Sequence, residues 1–81
     1  MLTVTLFTKT GCSLCDKVKE SLDALQNSFP HQLQEVDITQ DEALFQKYRY
    51  TIPVVQIGKV ELAAPITAVQ LQQVLQSTQK S

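Results

Sequence analysis

Only two cysteines and one histidine occur in this chain of 81 residues. So few cysteines exclude the multi-bridge framework of a small secreted domain. The single bridge they allow, Cys12 to Cys15, closes so short a loop that it restrains the unfolded chain little and is a poor structural staple. Basic residues are scattered without a run, and the formal net charge is −1 with a pI of about 5.6. That balance argues against nucleic acid or an anionic membrane surface as a partner. No apolar stretch approaches the ~18 residues of a membrane span. The N-terminal MLTVTLFTK has neither a basic n-region nor a small-residue cleavage site, so no signal peptide is expected. These absences lead to the expectation of a soluble, cytoplasmic monomer. In that setting lasting disulfides are rare, and a close cysteine pair is more often catalytic or metal-binding.

Apolar residues make up 43% of the chain, enough for one core, and one domain over residues 1–81 is expected at this length. LTVTLF, residues 2–7, alternates Leu2, Val4 and Leu6 against Thr3, Thr5 and Phe7, which predicts a strand. Thr10-Gly11 breaks it. A helix is expected to start near Cys12 or Ser13, with Cys15, Val18, Leu22, Leu25 and Phe29 on one stripe, and to end soon after Asn27 because of Pro30. LQEVDI, residues 33–38, predicts a more polar edge strand. Thr39 and Glu42 fit a capping box opening a short helix through Ala43, Leu44, Phe45 and Tyr48, which should end around Tyr48–Arg49.

Pro53 to Ile57 predicts a third strand, Gly58-Lys59 a type II′ turn, and Val60 to Ala63 the returning strand. Pro65 breaks the pattern. Thr67 and Gln70 form a second capping box, opening a helix lined by Ala68, Leu71, Val74 and Leu75. Residues 76–81 are expected to fray. The order β-α-β-α-β-β-α predicts an α/β fold: a mixed four-stranded sheet with helices on both faces, the first and last helices sharing one.

The cysteine pair opens a helix inside a β-α-β unit, a specific short signal for redox chemistry. Only a thiolate attacks a disulfide, and the unpaired N–H groups and partial positive charge of a helix N-terminus stabilise a thiolate placed there. Cys12 has that position, and Lys9 can add a second favourable charge. Cys15, one turn further in, faces the core. A metal site needs more ligands. His31 lies past the end of the first helix, about 20 Å from Cys12 at ~1.5 Å per residue, so zinc or an iron–sulfur cluster would have to be shared between two chains. A fold that only docks to partners is the third reading the residues leave open.

LFTKTGCSLCDKVKESL, followed in order by EVDIT, YTIPVVQIGKVEL and the terminal helix, resembles glutaredoxins and the smaller glutaredoxin-like proteins of the thioredoxin fold over nearly the whole chain. The resemblance implies a thioredoxin-like fold and a thiol–disulfide oxidoreductase with Cys12 as nucleophile and Cys15 as resolving thiol. It implies a cis peptide bond before Pro53, which faces Cys12, and backbone pairing of Ile52 with a substrate strand. Lys9 matches a lysine that meets a glutathione carboxylate, and Leu14 and Thr51 complete the substrate-binding set. The implied partners are a disulfide-containing protein or a glutathione mixed disulfide, and an electron donor that the sequence does not identify. No tightly bound cofactor is expected, and glutathione is a candidate reductant.

The chain departs from glutaredoxins in carrying Leu14 where they usually have tyrosine. It also carries Leu62-Ala63-Ala64-Pro65 where they have a Gly-Gly pair whose backbone holds the γ-glutamyl end of glutathione, and proline has no N–H to offer. Arg49 stands where relatives often have a glycine in a left-handed cap. Asp37 is expected to cap a turn, Tyr48 and Tyr50 to pack, and His31 to lie at the surface.

Overall fold

The structure is a computed structural model that describes residues 2–79. Four strands form the sheet: β1 (Leu2–Thr8), β2 (His31–Asp37), β3 (Val54–Ile57) and β4 (Val60–Ala63). Their order is β2-β1-β3-β4, so β2 is an edge strand, as its polarity predicts. β1 runs parallel to β2 and antiparallel to β3, and β3 pairs antiparallel with β4. Three helices complete the chain: α1 (Ser13–Ala24), α2 (Glu42–Tyr48) and α3 (Ala68–Gln79). This is the thioredoxin-like β-α-β-α-β-β-α arrangement.

Side-chain alternation places a core on each face of the sheet. Val4 and Leu6 of β1 and Val55 and Ile57 of β3 meet Val18 and Leu22 of α1 and Leu71 and Leu75 of α3. α1 and α3 therefore share a face. Phe7 and Val54 point the other way and pack with Ile38 and Tyr48. Each such leucine or valine, fully buried, contributes roughly 1.5–3 kcal/mol relative to an exposed one. The β3–β4 connection is a two-residue hairpin. Gly58 has φ +59, and Lys59, like every other non-glycine residue described, does not have positive φ. That is the type II′ pattern.

Local chemistry moves several boundaries from their expected places. α1 ends at Ala24, short of Asn27, where the Leu25 N–H turns back to the carbonyls of Ser21, Leu22 and Asp23. β2 begins two residues earlier than expected, at His31, and β3 one residue later than Pro53. The Thr39–Glu42 capping box does not form. Asp37 instead caps a 3-10 turn over Ile38–Gln40, and the Asp41 carboxylate accepts the Leu44 N–H at 3.2 Å to open α2. A carboxylate one residue before the helix reaches these donors directly, which makes the more distant threonine unnecessary.

At α3 the expected box is complete: Thr67 N–H donates to Gln70 Oε1 at 2.9 Å, and Gln70 N–H to Thr67 Oγ1 at 3.1 Å. α3 continues through Gln79, into the segment expected to fray, and the expectation for Lys80 and Ser81 lies outside the described residues.

Three residue-level expectations are corrected, and the backbone of Arg49 is established. His31 is buried, 3% exposed, because it opens β2 rather than a surface loop; its Nδ1 lies 2.7 Å from the Phe29 carbonyl oxygen. Tyr50 is 84% exposed, and the Arg49 guanidinium stacks over its ring at 4.6 Å. Arg49 is right-handed, with φ −55, so no left-handed strain arises at that position. Ala68 lies at the exposed start of α3 rather than on its apolar stripe.

Candidate active site

The C-terminal end of β1 leads directly into the site. A turn follows in which the Cys12 N–H donates to the Lys9 carbonyl at 3.3 Å, with Gly11 at φ +82. This is the type II pattern, which requires positive φ at its third residue and so favours glycine there. The turn delivers Cys12 to the N-cap position of α1. Its Sγ accepts the backbone N–H of Cys15 at 3.2 Å, the bond a serine or aspartate makes in an ordinary N-cap. The first turn of α1 thus directs a hydrogen-bond donor at this sulfur.

The two cysteines are joined in a disulfide, with their Cα atoms 5.2 Å apart. They differ sharply in environment. Cys12 is half-buried and reachable, whereas Cys15 is 2% exposed beside the core stripe. Leu14, between them, is 55% exposed. Lys9 is exposed, and its contribution to the turn is made by its carbonyl.

Register fixes the neighbouring loop. Phe7 pairs with Val54, so the residues before Val54 lie past the same end of the sheet as the Lys9–Cys12 turn. The Ile52–Pro53 bond is cis, as expected, and the Ala64–Pro65 bond is also cis. Thr51 N–H, Ile52 N–H and Thr51 Oγ1 all approach the Tyr48 carbonyl, at 2.9, 3.1 and 3.3 Å. The Thr51 carbonyl accepts from Ala64 N–H at 3.4 Å. Thr51 is therefore held from both sides, and Ile52 by its N–H. Pro53 is buried, Ile52 half-buried and Thr51 exposed.

Tyr48 is the residue whose importance the sequence least suggested. Its ring stacks on Phe7 with centroids 4.6 Å apart, and its hydroxyl donates to Glu61 Oε1 at 2.7 Å. That bond, with burial adding to it, holds the phenol's pKa above its ordinary value. Asp37 lies at the end of β2, opposite Thr8. Its Oδ1 accepts from Thr39 Oγ1 at 2.6 Å and Thr39 N–H at 2.9 Å, and these bonds lower its carboxyl pKa.

A groove of about 150 Å³ adjoins the cysteine turn through Leu14, and Lys17, Val18, Ser21, Pro53, Ala64, Pro65 and Ile66 complete its lining. The spacing of Leu14, Lys17, Val18 and Ser21 along α1 is the sequence signal for this wall, since residues three, four and seven apart share a helix face. Among the described residues, no three His, Cys, Asp or Glu side chains gather in a group that could hold a metal ion. No described helix is long and apolar enough to cross a membrane.

Residues 3–78 match the family model described as Glutaredoxin-like domain (DUF836). An X-ray structure of a structural-genomics target protein from X. campestris shares 29% identity with this chain. It covers 91% of this chain and 96% of its own, with a TM-score of 0.76. A solution NMR structure of a protein from Nitrosomonas europaea is 23% identical, covering 89% of this chain and 88% of its own, with a TM-score of 0.76. The oxidized thioredoxin O2 of Arabidopsis thaliana is similar in fold at 22% identity, covering 95% of this chain and 74% of its own, with a TM-score of 0.76.

Proposed function

The chain belongs to the glutaredoxin-like domain family, and from that premise we propose that it reduces disulfides with Cys12 as nucleophile and Cys15 as resolving thiol. The observation that carries this assignment is the asymmetry of the pair: Cys12 is reachable at a helix N-cap, and Cys15 is 2% exposed one turn further in.

The Cys12 thiolate attacks one sulfur of a substrate disulfide. That S–S bond breaks, the expelled thiolate takes a proton, and Cys12 is left in a mixed disulfide. Cys15 then gives up its proton and attacks Cys12 Sγ. The second substrate thiolate leaves, and the Cys12–Cys15 disulfide closes. The substrate has gained two electrons and two protons, and the dithiol has lost them. An external dithiol, or two molecules of glutathione, returns them. The two sulfurs carry the electrons, so the cycle needs no resident cofactor.

The N-terminus of α1 stabilises the attacking thiolate through its donors and partial charge. Because the Ile52 N–H is already donated to Tyr48, pairing with a substrate strand runs through the Ile52 carbonyl, beside Thr51 and Pro53. Lys9 supplies a positive charge to an approaching carboxylate, including that of glutathione. The protein acts as a monomer in a reducing compartment such as the cytoplasm.

The test is a reductase assay with Cys12→Ser and Cys15→Ser. Cys12→Ser should abolish exchange, and Cys15→Ser should accumulate a mixed disulfide visible by mass spectrometry. Full activity in Cys12→Ser would overturn the assignment. Running the wild type with glutathione and with thioredoxin as alternative reductants identifies the electron donor.

A further inference from the structure

The loop between β4 and α3 bears on which disulfides the site accepts, an inference that rests on the exchange chemistry proposed above. Glutathione is a charged tripeptide, and holding its γ-glutamyl carboxylate at this loop would take N–H donors. The loop has few to give. Ala64 N–H is donated to the Thr51 carbonyl at 3.4 Å. Pro65 has no N–H. Thr67 N–H is taken by Gln70 Oε1 at 2.9 Å, and Gln70 N–H by Thr67 Oγ1 at 3.1 Å. Of residues 64–67, Ile66 alone keeps a backbone donor.

The loop instead presents side chains. Pro65 and Ile66 line the groove together with Leu14, Val18 and Pro53. An apolar cavity of about 150 Å³, the size of this groove, holds one benzene-sized group. A site that encloses a whole small-molecule ligand is larger, roughly 300 Å³ or more. Lys17 and Ser21 also line the groove, and Lys17 is exposed, so its four-carbon stem can cover apolar surface while the ammonium stays in water. Leu14 lies between the two cysteines in the chain and lines the groove itself, so the groove adjoins the turn that carries the redox pair.

We infer that this groove receives an uncharged apolar side chain carried next to the cysteine of a polypeptide disulfide, in preference to the γ-glutamyl end of glutathione. An extended polypeptide meets both features at once. Its backbone pairs beside Pro53 through the Ile52 carbonyl, and its neighbouring side chain fills the groove. Leu14, Pro65 and Ile66 are then the residues that determine specificity.

The test compares the fully reduced wild-type protein on three disulfides: a peptide dimer with leucine next to its cysteine, the same peptide with aspartate there, and the leucine peptide glutathionylated on its cysteine. Burial of one leucine side chain predicts a leucine-to-aspartate ratio in kcat/KM of about 10 or more. The leucine dimer should also be reduced faster than the glutathionylated peptide. In Leu14→Ser the leucine-to-aspartate ratio should fall toward unity. A ratio is insensitive to a general loss of activity. A wild-type ratio within twofold, or faster reduction of the glutathionylated peptide, overturns the inference. Cys12→Ser on the same substrates separates the two ideas. If it stays active, the exchange assignment fails; if it is inactive while the wild type fails to discriminate, only the groove assignment fails.

Discussion

The Tyr48 hydroxyl donates to Glu61 Oε1 at 2.7 Å, tying the last turn of α2 to β4. The same residue's carbonyl anchors Thr51 and Ile52. One tyrosine therefore links the second core, the outer hairpin and the loop that carries Pro53. Removing only the hydroxyl, in Tyr48→Phe, leaves the ring stacked on Phe7 and should cost about 1 kcal/mol, the net worth of one hydrogen bond. Urea unfolding near neutral pH measures it.

That bond also sets an alkaline limit. The folded pKa of Tyr48 is raised above the ordinary tyrosine value of 10.0, so the folded state holds the phenolic proton more tightly than the unfolded chain. The associated stability is fully present below the unfolded pKa and is lost as pH rises from there through the folded value. Wild-type stability should therefore drop more steeply than that of Tyr48→Phe as pH rises above about 10. Parallel slopes for the two proteins over that window would contradict the assignment.

Asp37 behaves in the opposite sense. Its carboxyl pKa is lowered from 3.8, first by the Thr39 hydroxyl and then by the Thr39 N–H. The stability it contributes is present above the unfolded value and is lost as pH falls through the folded one. The stability gap between wild type and Asp37→Ala should be open at pH 6 and close in strong acid. Because this carboxylate acts as a turn cap, Asp37→Ala should retain reductase turnover within about twofold. A large loss of turnover with normal stability would instead make it a proton shuttle.

Gly11 is a purely conformational requirement. A Cβ there would meet nothing within 4 Å, yet φ is +82. Gly11→Ala should destabilise by roughly 1–2 kcal/mol, the cost of left-handed backbone for an L-residue. For a domain of this size that is a fall of about 4–8 °C in Tm per kcal/mol. The same substitution should slow Cys12 attack, because this turn delivers the sulfur to the helix tip. A thermal melt and a single-turnover assay read the two effects separately.

The α3 box is reciprocal, so its halves should not add. Thr67→Ala and Gln70→Ala should each cost about 0.5–2 kcal/mol. The double variant should cost less than their sum, since each substitution already breaks part of the same box. Strict additivity in urea titrations would mean that the two bonds act independently.

Much of the fold was legible in the sequence because it depends on local rules. Strict alternation in LTVTLF can satisfy two cores only as a strand. Leu71 and Leu75 repeat at helical spacing behind a Thr67–Gln70 box. Gly58 marks a two-residue turn, and the Cys12-Cys15 spacing at a helix start favours dithiol chemistry. The burial of His31 has no such local signal, because an imidazole suits a surface as well as a strand end. Its burial comes from β2 starting two residues early, opposite Leu2, a pairing contact with no local signal. The cap of α2 was misplaced because Thr39 and Asp41 offer competing caps, and the choice follows from where β2 ends.

The sequence by itself determined the strand–helix order, the redox pair and its placement at the tip of α1, since periodicity, turn chemistry and spacing are properties of neighbouring residues. Tertiary structure alone decided how unequal the two cysteines are in exposure, how Tyr48 joins α2, β4 and the loop before Pro53, and which backbone donors remain beside the site. Those depend on residues far apart in the chain, brought together by sheet register and by packing across two faces.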